Sequence, residues 1–219
     1  MDMCGIVGYV GQQDATTVVV DGLRRLEYRG YDSAGVAVVT ESAVQSRKRA
    51  GKLANLEKSL DEVPLPDSTV GIGHTRWATH GAPNDVNAHP HLSEDGRLAV
   101  IHNGIIENFA ELRDSLRADG VQFLSETDTE VAAHLLAKEL RHSDSLTQAM
   151  QRTCQHLRGA FTLVAASADD PDSLVGARRN SPLVVGLGDG ETFLASDVSA
   201  FIAHTKQALE LGQDQVITI

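Results

Sequence analysis

Three helix-period repeats follow one another in the second half of the chain, and strand-like runs lie on both sides of them. Phe109, Leu112 and Leu116 recur at helical spacing, as do Val131, Leu135 and Leu136, and then Leu146, Met150, Cys154 and Leu157. Thr127 with Glu130 and Ser145 with Gln148 have capping-box spacing ahead of the second and third repeats, with Gly159 the expected stop. Before them come the apolar runs 6–10, 70–75 and 98–103 and the alternating Ala34, Val36 and Val38, the pattern of a half-buried strand. After them come 161–166, 183–185, 192–195 and 215–219, with a short helix expected near 198–204. Two earlier helices are predicted, one through Val19, Leu23 and Leu26 behind an Asp14 cap, the other through Leu53, Leu56, Leu60 and Val63, stopped by Pro64 and Pro66. A doubly wound parallel sheet needs strand and helix to alternate, and here they do not, so the order predicts an α+β fold.

The 219 residues suit a single domain, residues 1–219, with no linker-like tract or internal repeat. Hydrophobic residues make up 42%, enough for a core, but aromatics are only 4%, so that core rests on Val, Leu, Ile and Ala. A formal charge of −11 repels phosphate backbones and anionic lipid, which argues against nucleic acid or membrane as partner. No apolar run reaches the roughly 18–20 residues of a membrane span, and no secretory signal is visible. Cys4 and Cys154 offer no disulfide framework, so a cytoplasmic location is expected.

Polar residues crowd the N-terminus, 28–35, 73–91 and 102–108, with Asp128 beyond. Cys4 precedes an apolar strand. Exposed as a first residue, a cysteine would carry its own base, because an α-amine with a pKa of about 7.7–8.0 is partly unprotonated at neutral pH; the plainer alternative is a small buried residue at a strand start. Cys154 falls on the apolar face of its helix and reads as core. Arg76 offers a planar fork suited to a carboxylate or to a surface ion pair. Trp77, the single tryptophan, suits a ligand cover or a core plug. Asn103 with the Gly104 N–H could form an oxyanion hole, although Asn-Gly is on local grounds a turn pair. Asp128 could receive an ammonium group or serve the helix dipole. Nine histidines, with His89 and His91 near His74, His80 and Asp85, raise a metal-dependent hydrolase as a rival reading; no metal is expected, because neither His-Glu-x-x-His nor paired Cys-x-x-Cys spacing occurs.

The order of these motifs is more specific than any one of them. Cys4-Gly5-Ile6-Val7-Gly8, the stretches 27–35 and 73–81, Asn87-Ala88-His89-Pro90-His91, and the stretches 102–108 and 126–130 closely resemble the N-terminal glutaminase domain of glutamine–fructose-6-phosphate aminotransferases. The likeness runs from Cys4 to near the C-terminus. It implies an N-terminal-nucleophile hydrolase fold, a four-layer αββα sandwich of two antiparallel sheets. It implies Cys4 as nucleophile, Asn103 and Gly104 as oxyanion hole, Arg76 and Asp128 as partners of the α-carboxylate and α-ammonium of L-glutamine, and Thr79 and His80 as pocket lining. Trp77 then resembles a gate toward a synthase domain, and Arg29 with Gly30 a loop beside the terminal cysteine. No cofactor is implied. Fructose 6-phosphate would be reached only through a synthase domain outside this chain, and a homodimer of the full-length enzyme is left open.

Two departures and one smaller change qualify the resemblance. Met1-Asp2-Met3 precede Cys4, and retained they would displace the α-amine and leave a non-catalytic glutamine-binding module; initiation at Met3 followed by methionine trimming is the expected remedy. The sugar isomerase domains are expected to be absent from this chain. Asn180 stands where the family usually has Gly, a minor change because Asn tolerates left-handed backbone.

Overall fold

Antiparallel pairing accounts for every strand ladder in the computed structural model, which describes residues 4–219. The first sheet is built from β1 (Gly5–Val10), β2 (Ser33–Val39), β3 (Val44–Ala50), β4 (Val70–Arg76), β9 (Val184–Leu187), β10 (Thr192–Ala195) and β11 (Ala208–Glu210), in the order β11-β9-β10-β1-β4-β2-β3. The second contains β5 (His91–Leu92), β6 (Leu98–Ile106), β7 (Gly159–Ser167), β8 (Asp170–Arg179) and β12 (Val216–Thr218), in the order β12-β8-β7-β6-β5.

Side-chain alternation sorts the core into three layers. Ile6, Ala37, Ile72, Ile101, Val164 and Leu194 meet between the sheets. Val7, Tyr9, Val36 and Phe193 face outward, against Val19 and Leu23 of α1 (Ala15–Arg25) and Leu56 of α2 (Leu53–Glu62). Val100, Leu163 and Val175 face the opposite way, against helices α3 (Phe109–Ala118), α4 (Asp128–Leu140) and α5 (Leu146–His156). This is the αββα sandwich that the resemblance implies. Helix α1 lies close to its sheet because β4 is bare there: a Cβ at Gly73 would meet Val19 at 2.3 Å.

The expected caps form. Asp14 accepts from the Thr17 N–H at 2.8 Å, Thr127 from Glu130 at 3.3 Å and Ser145 from Gln148 at 3.2 Å. Several expectations are corrected. Strand β2 is buried on both faces rather than half-buried, because it lies inside the first sheet with the other sheet on one side and helices on the other. Gly159 opens β7 rather than stopping α5, which already leaves helical geometry at Leu157. Only a three-residue 3-10 turn, Val198–Ala200, forms near 198–204. Residues 103–104 lie inside β6, not in a turn. Cys154 packs against the core under α5, and burial pushes its thiol up to about 11. The expectation about Met1-Asp2-Met3 falls outside the described residues.

Candidate active site

The site lies where β1, β4 and β6 run out at one end of the sandwich. Register does the placing. Gly5 pairs with Thr75 across β1 and β4, so Cys4 falls one step further on, beside Arg76. Residues 72, 74 and 76 share the inter-sheet face of β4, and 99, 101 and 103 that of β6. Within the sandwich this face carries Ile72 and Ile101; at its end it carries His74, Arg76 and Asn103.

Cys4 lines a cavity of about 270 Å³ together with Arg76, Trp77, Thr79, His80, Asn103, Gly104 and Asp128. That falls below the roughly 300–1,000 Å³ typical of drug-sized sites and suits an amino acid. The Cys4 sulfur accepts from the Trp77 N–H at 3.1 Å, and the Cys4 carbonyl accepts from Asn103 Nδ2 at 2.9 Å and Arg29 Nη1 at 3.3 Å. Burial pushes the Cys4 thiol above its usual value, outweighing the opposing pull of the Trp77 N–H and the Arg76 charge. A thiol so placed needs a base, and attack on a carbonyl needs oxyanion donors beside the sulfur. Asn103 provides a carboxamide there. Gly104 provides a backbone N–H at φ 116°, where a Cβ would lie 2.0 Å from the Ala160 carbonyl oxygen. Only glycine fits that backbone geometry within the strand.

Arg76 is 4% exposed. Its Nη2 donates to the carbonyls of His80 and Gly81, while Nη1 stands 3.9 Å from Asp32 without a hydrogen bond among the described residues. A buried guanidinium edge left open beside a cavity suits an anionic ligand group. Asp128 occupies the first turn of α4, buried, its Oδ2 accepting from the Ile106 N–H at 2.9 Å. Cation and anion thus face one small cavity.

Thr79 and His80 also line it and contact each other at 3.3 Å. Trp77 is 44% exposed, which corrects the core-plug alternative: it follows Arg76, the last residue of β4, and its ring lies against Gly30, whose φ is 77°. Arg29, from a 3-10 turn at Glu27–Arg29, ties Cys4 to Ser196 at 2.9 Å and Asp197 at 3.3 Å. Asn180 adopts left-handed backbone at φ 55°, as its tolerance predicts, and adds Ser181 and Pro182 to the lining.

Sequence reasoning weighed His74, His89 and His91 only as metal ligands and missed their place in the packing around the cavity. His74 Nε2 contacts Asn103 Oδ1 at 2.9 Å, His74 stacks on His89 at 4.2 Å, and His89 meets His91 edge-on at 5.1 Å. Burial holds His74 down to about 3 and lowers His89, His91 and His102 well below or below the usual imidazole value, so these rings are neutral. They stack instead of converging, and no group of three or more metal-ligating side chains occurs among the described residues. The one hint in the sequence is period two: His74 shares its strand face with Ile72 and Arg76.

A thiol at the start of a strand, with amide donors beside it in an αββα sandwich, defines the N-terminal-nucleophile hydrolase architecture. Comparison with known proteins narrows the class. A family described as glutamine amidotransferase domain matches residues 74–203. The glutamine–fructose-6-phosphate aminotransferase of Streptomyces coelicolor is 66% identical over 217 residues, 99% of this chain and 35% of that protein. The corresponding Leifsonia xyli protein is 62% identical over 218 residues, again 99% and 35%. The chain therefore spans about a third of the length of these curated relatives. Among solved structures, the glutamine phosphoribosylpyrophosphate amidotransferase of B. subtilis superposes with a TM-score of 0.82 at 26% identity, covering 99% of this chain and 47% of that one. The chain belongs to the glutamine amidotransferase family. No helix among the described residues is long and apolar enough to cross a membrane.

Proposed function

We propose that this chain hydrolyses the side-chain amide of L-glutamine to glutamate and ammonia through a thioester on Cys4. The observation that carries the reading is that Arg76, whose buried Nη1 makes no hydrogen bond among the described residues, lines the same small cavity as Asp128 and Cys4. A free amino acid bears opposite charges at one end. Arg76 receives its carboxylate, Asp128 its ammonium, and Thr79 and His80 flank it. The Cys4 thiol, its proton taken by the α-amine of the same residue, attacks the amide carbon. Charge moves to the oxygen between the Asn103 amide and the Gly104 N–H. The C–N bond then breaks, the amine returns the proton to nitrogen, and ammonia leaves. Water, deprotonated by the same amine, attacks the thioester and releases glutamate and thiol. Arg29 and Gly30 position the cysteine, and Trp77 shields the mouth.

This mechanism requires that Cys4 be the first residue of the working chain. It also makes residues 1–219 a single glutaminase domain, with any sugar isomerase portion lying outside it. The names of the Streptomyces and Leifsonia relatives support a finer reading: the ammonia aminates fructose 6-phosphate, giving glucosamine 6-phosphate in a synthase portion. Intact mass followed by a glutamate-release assay tests the reading. Chains beginning at Cys4 should release glutamate, and Cys4→Ala should abolish release. Release that survives Cys4→Ala, or is absent with Cys4 demonstrably first, overturns it.

A further inference from the structure

We infer that His74 is a positioning residue: its Nε2–H locks the Asn103 carboxamide with the NH2 group turned toward Cys4. The inference rests on the glutaminase reading and adds a part to it.

The assignment follows from which atoms can donate. The Cys4 carbonyl can only accept, so the Asn103 atom 2.9 Å away is the NH2 nitrogen. Asn103 Oδ1 therefore faces His74 Nε2 at 2.9 Å, and since that oxygen can only accept, Nε2 carries the hydrogen. His74 Nδ1 is then bare, and it is indeed without a partner among the described residues. One amide hydrogen goes to Cys4, which leaves the other for the cavity. Flipped, Asn103 would turn a carbonyl oxygen toward the developing oxyanion and repel it.

The same bond joins the two sheets, because residue 74 belongs to β4 and residue 103 to β6. His74 is held in turn by His89, stacked at 4.2 Å and 25°. The His89 carbonyl oxygen sits over β2, where a Cβ at Gly35 would come within 2.1 Å of it. Past His89, His91 meets it at 5.1 Å and contacts Thr127 Oγ1 at 2.9 Å, at the cap from which Asp128 begins α4. The stack thus runs beneath the cavity from the oxyanion donor to the helix start that holds Asp128.

Two variants separate the donor from the ring. His74→Phe keeps a ring to stack on His89 but removes the N–H; His74→Gln keeps an N–H donor without the ring. With Cys4 as first residue, His74→Phe should lower kcat for glutamine about ten- to a hundredfold, less than loss of the donor itself. KM should stay within about threefold, since the bond acts only when charge develops. His74→Gln should recover most of kcat. In an Asn103→Ala background, His74→Phe should change kcat by less than about threefold, because the two act as one unit. Unaltered kcat in His74→Phe, an equal loss in the Asn103→Ala background, or an impaired Gln variant beside an intact Phe variant each overturns the role. The Asn103 side-chain NH2 resonances of 15N-labelled chain give a second readout, expected to shift in His74→Phe and persist in His74→Gln. Resonances unmoved by His74→Phe overturn the role even if the parent chain releases no glutamate, a result that would itself sink only the glutaminase reading.

Discussion

Asn103 is gripped from both ends, by His74 at its oxygen and by the Cys4 carbonyl at its nitrogen. An amide so held need not reorganise when charge appears on the substrate oxygen, which is how oxyanion donors lower a barrier. Asn103→Ala should therefore lose about two to three orders of magnitude in kcat, roughly 3–4 kcal/mol of barrier. Steady-state glutamate release measures this, and a variant within threefold of the parent contradicts it. Cys4 leads to a pH prediction. Burial raises its thiol, so the thiolate fraction without substrate is small at neutral pH and grows as pH passes beyond 9.0. Alkylation of Cys4 by iodoacetamide should keep climbing past that pH, with peptide mass separating it from Cys154, whose thiol burial raises to about 11. A plateau below pH 8 would mean that the thiol is activated in the resting protein.

At the scale of elements, strands with apolar runs were legible and strands without them were not. Residues 44–50, Val-Gln-Ser-Arg-Lys-Arg-Ala, form β3 at a sheet edge, where charged side chains are favoured because they discourage further pairing. No hydrophobic alternation announces such a strand. The Asn103-Gly104 pair misleads in the same way: local preference favours a turn, and the long ladder with β7 overrides it. The motifs singled out Arg76 and Asp128, which line one cavity, whereas the link from His74 to Asn103 needed the packing of one sheet on the other.

Lys48 of β3 is another residue that only packing explains. Its Nζ donates to the carbonyls of Val86, Ala88 and Pro90, tying the loop that carries His89 to the sheet. Burial lowers this lysine from 10.5 to about 8. The unfolded chain keeps the proton to about 10.4, so between those values it binds more protons than the folded chain, and this group makes stability rise with pH. Urea denaturation at pH 7.5 and 9.5 should show the parent gaining about 1–2 kcal/mol relative to Lys48→Met. A difference constant with pH would show that Lys48 does not titrate in that range.

Across the whole molecule, the apolar layer between the sheets ends in a polar rim, and the sandwich is thereby a support for one small cavity at its end. The sulfur stands one residue before β1 and the guanidinium at the end of β4, neighbouring strands whose register is set by Gly5 opposite Thr75. Their separation is fixed by backbone ladders, not by a loop that can adjust. Such a frame works as a yardstick for side-chain length. Asparagine can offer the same charged end to Arg76 and Asp128, but one methylene less leaves its amide carbon short of Cys4, and a misplacement of about 1 Å can cost about a hundredfold. Asparagine should occupy the cavity and compete with glutamine, yet turn over at least about a hundredfold more slowly; comparable kcat values for the two would mean that the frame yields.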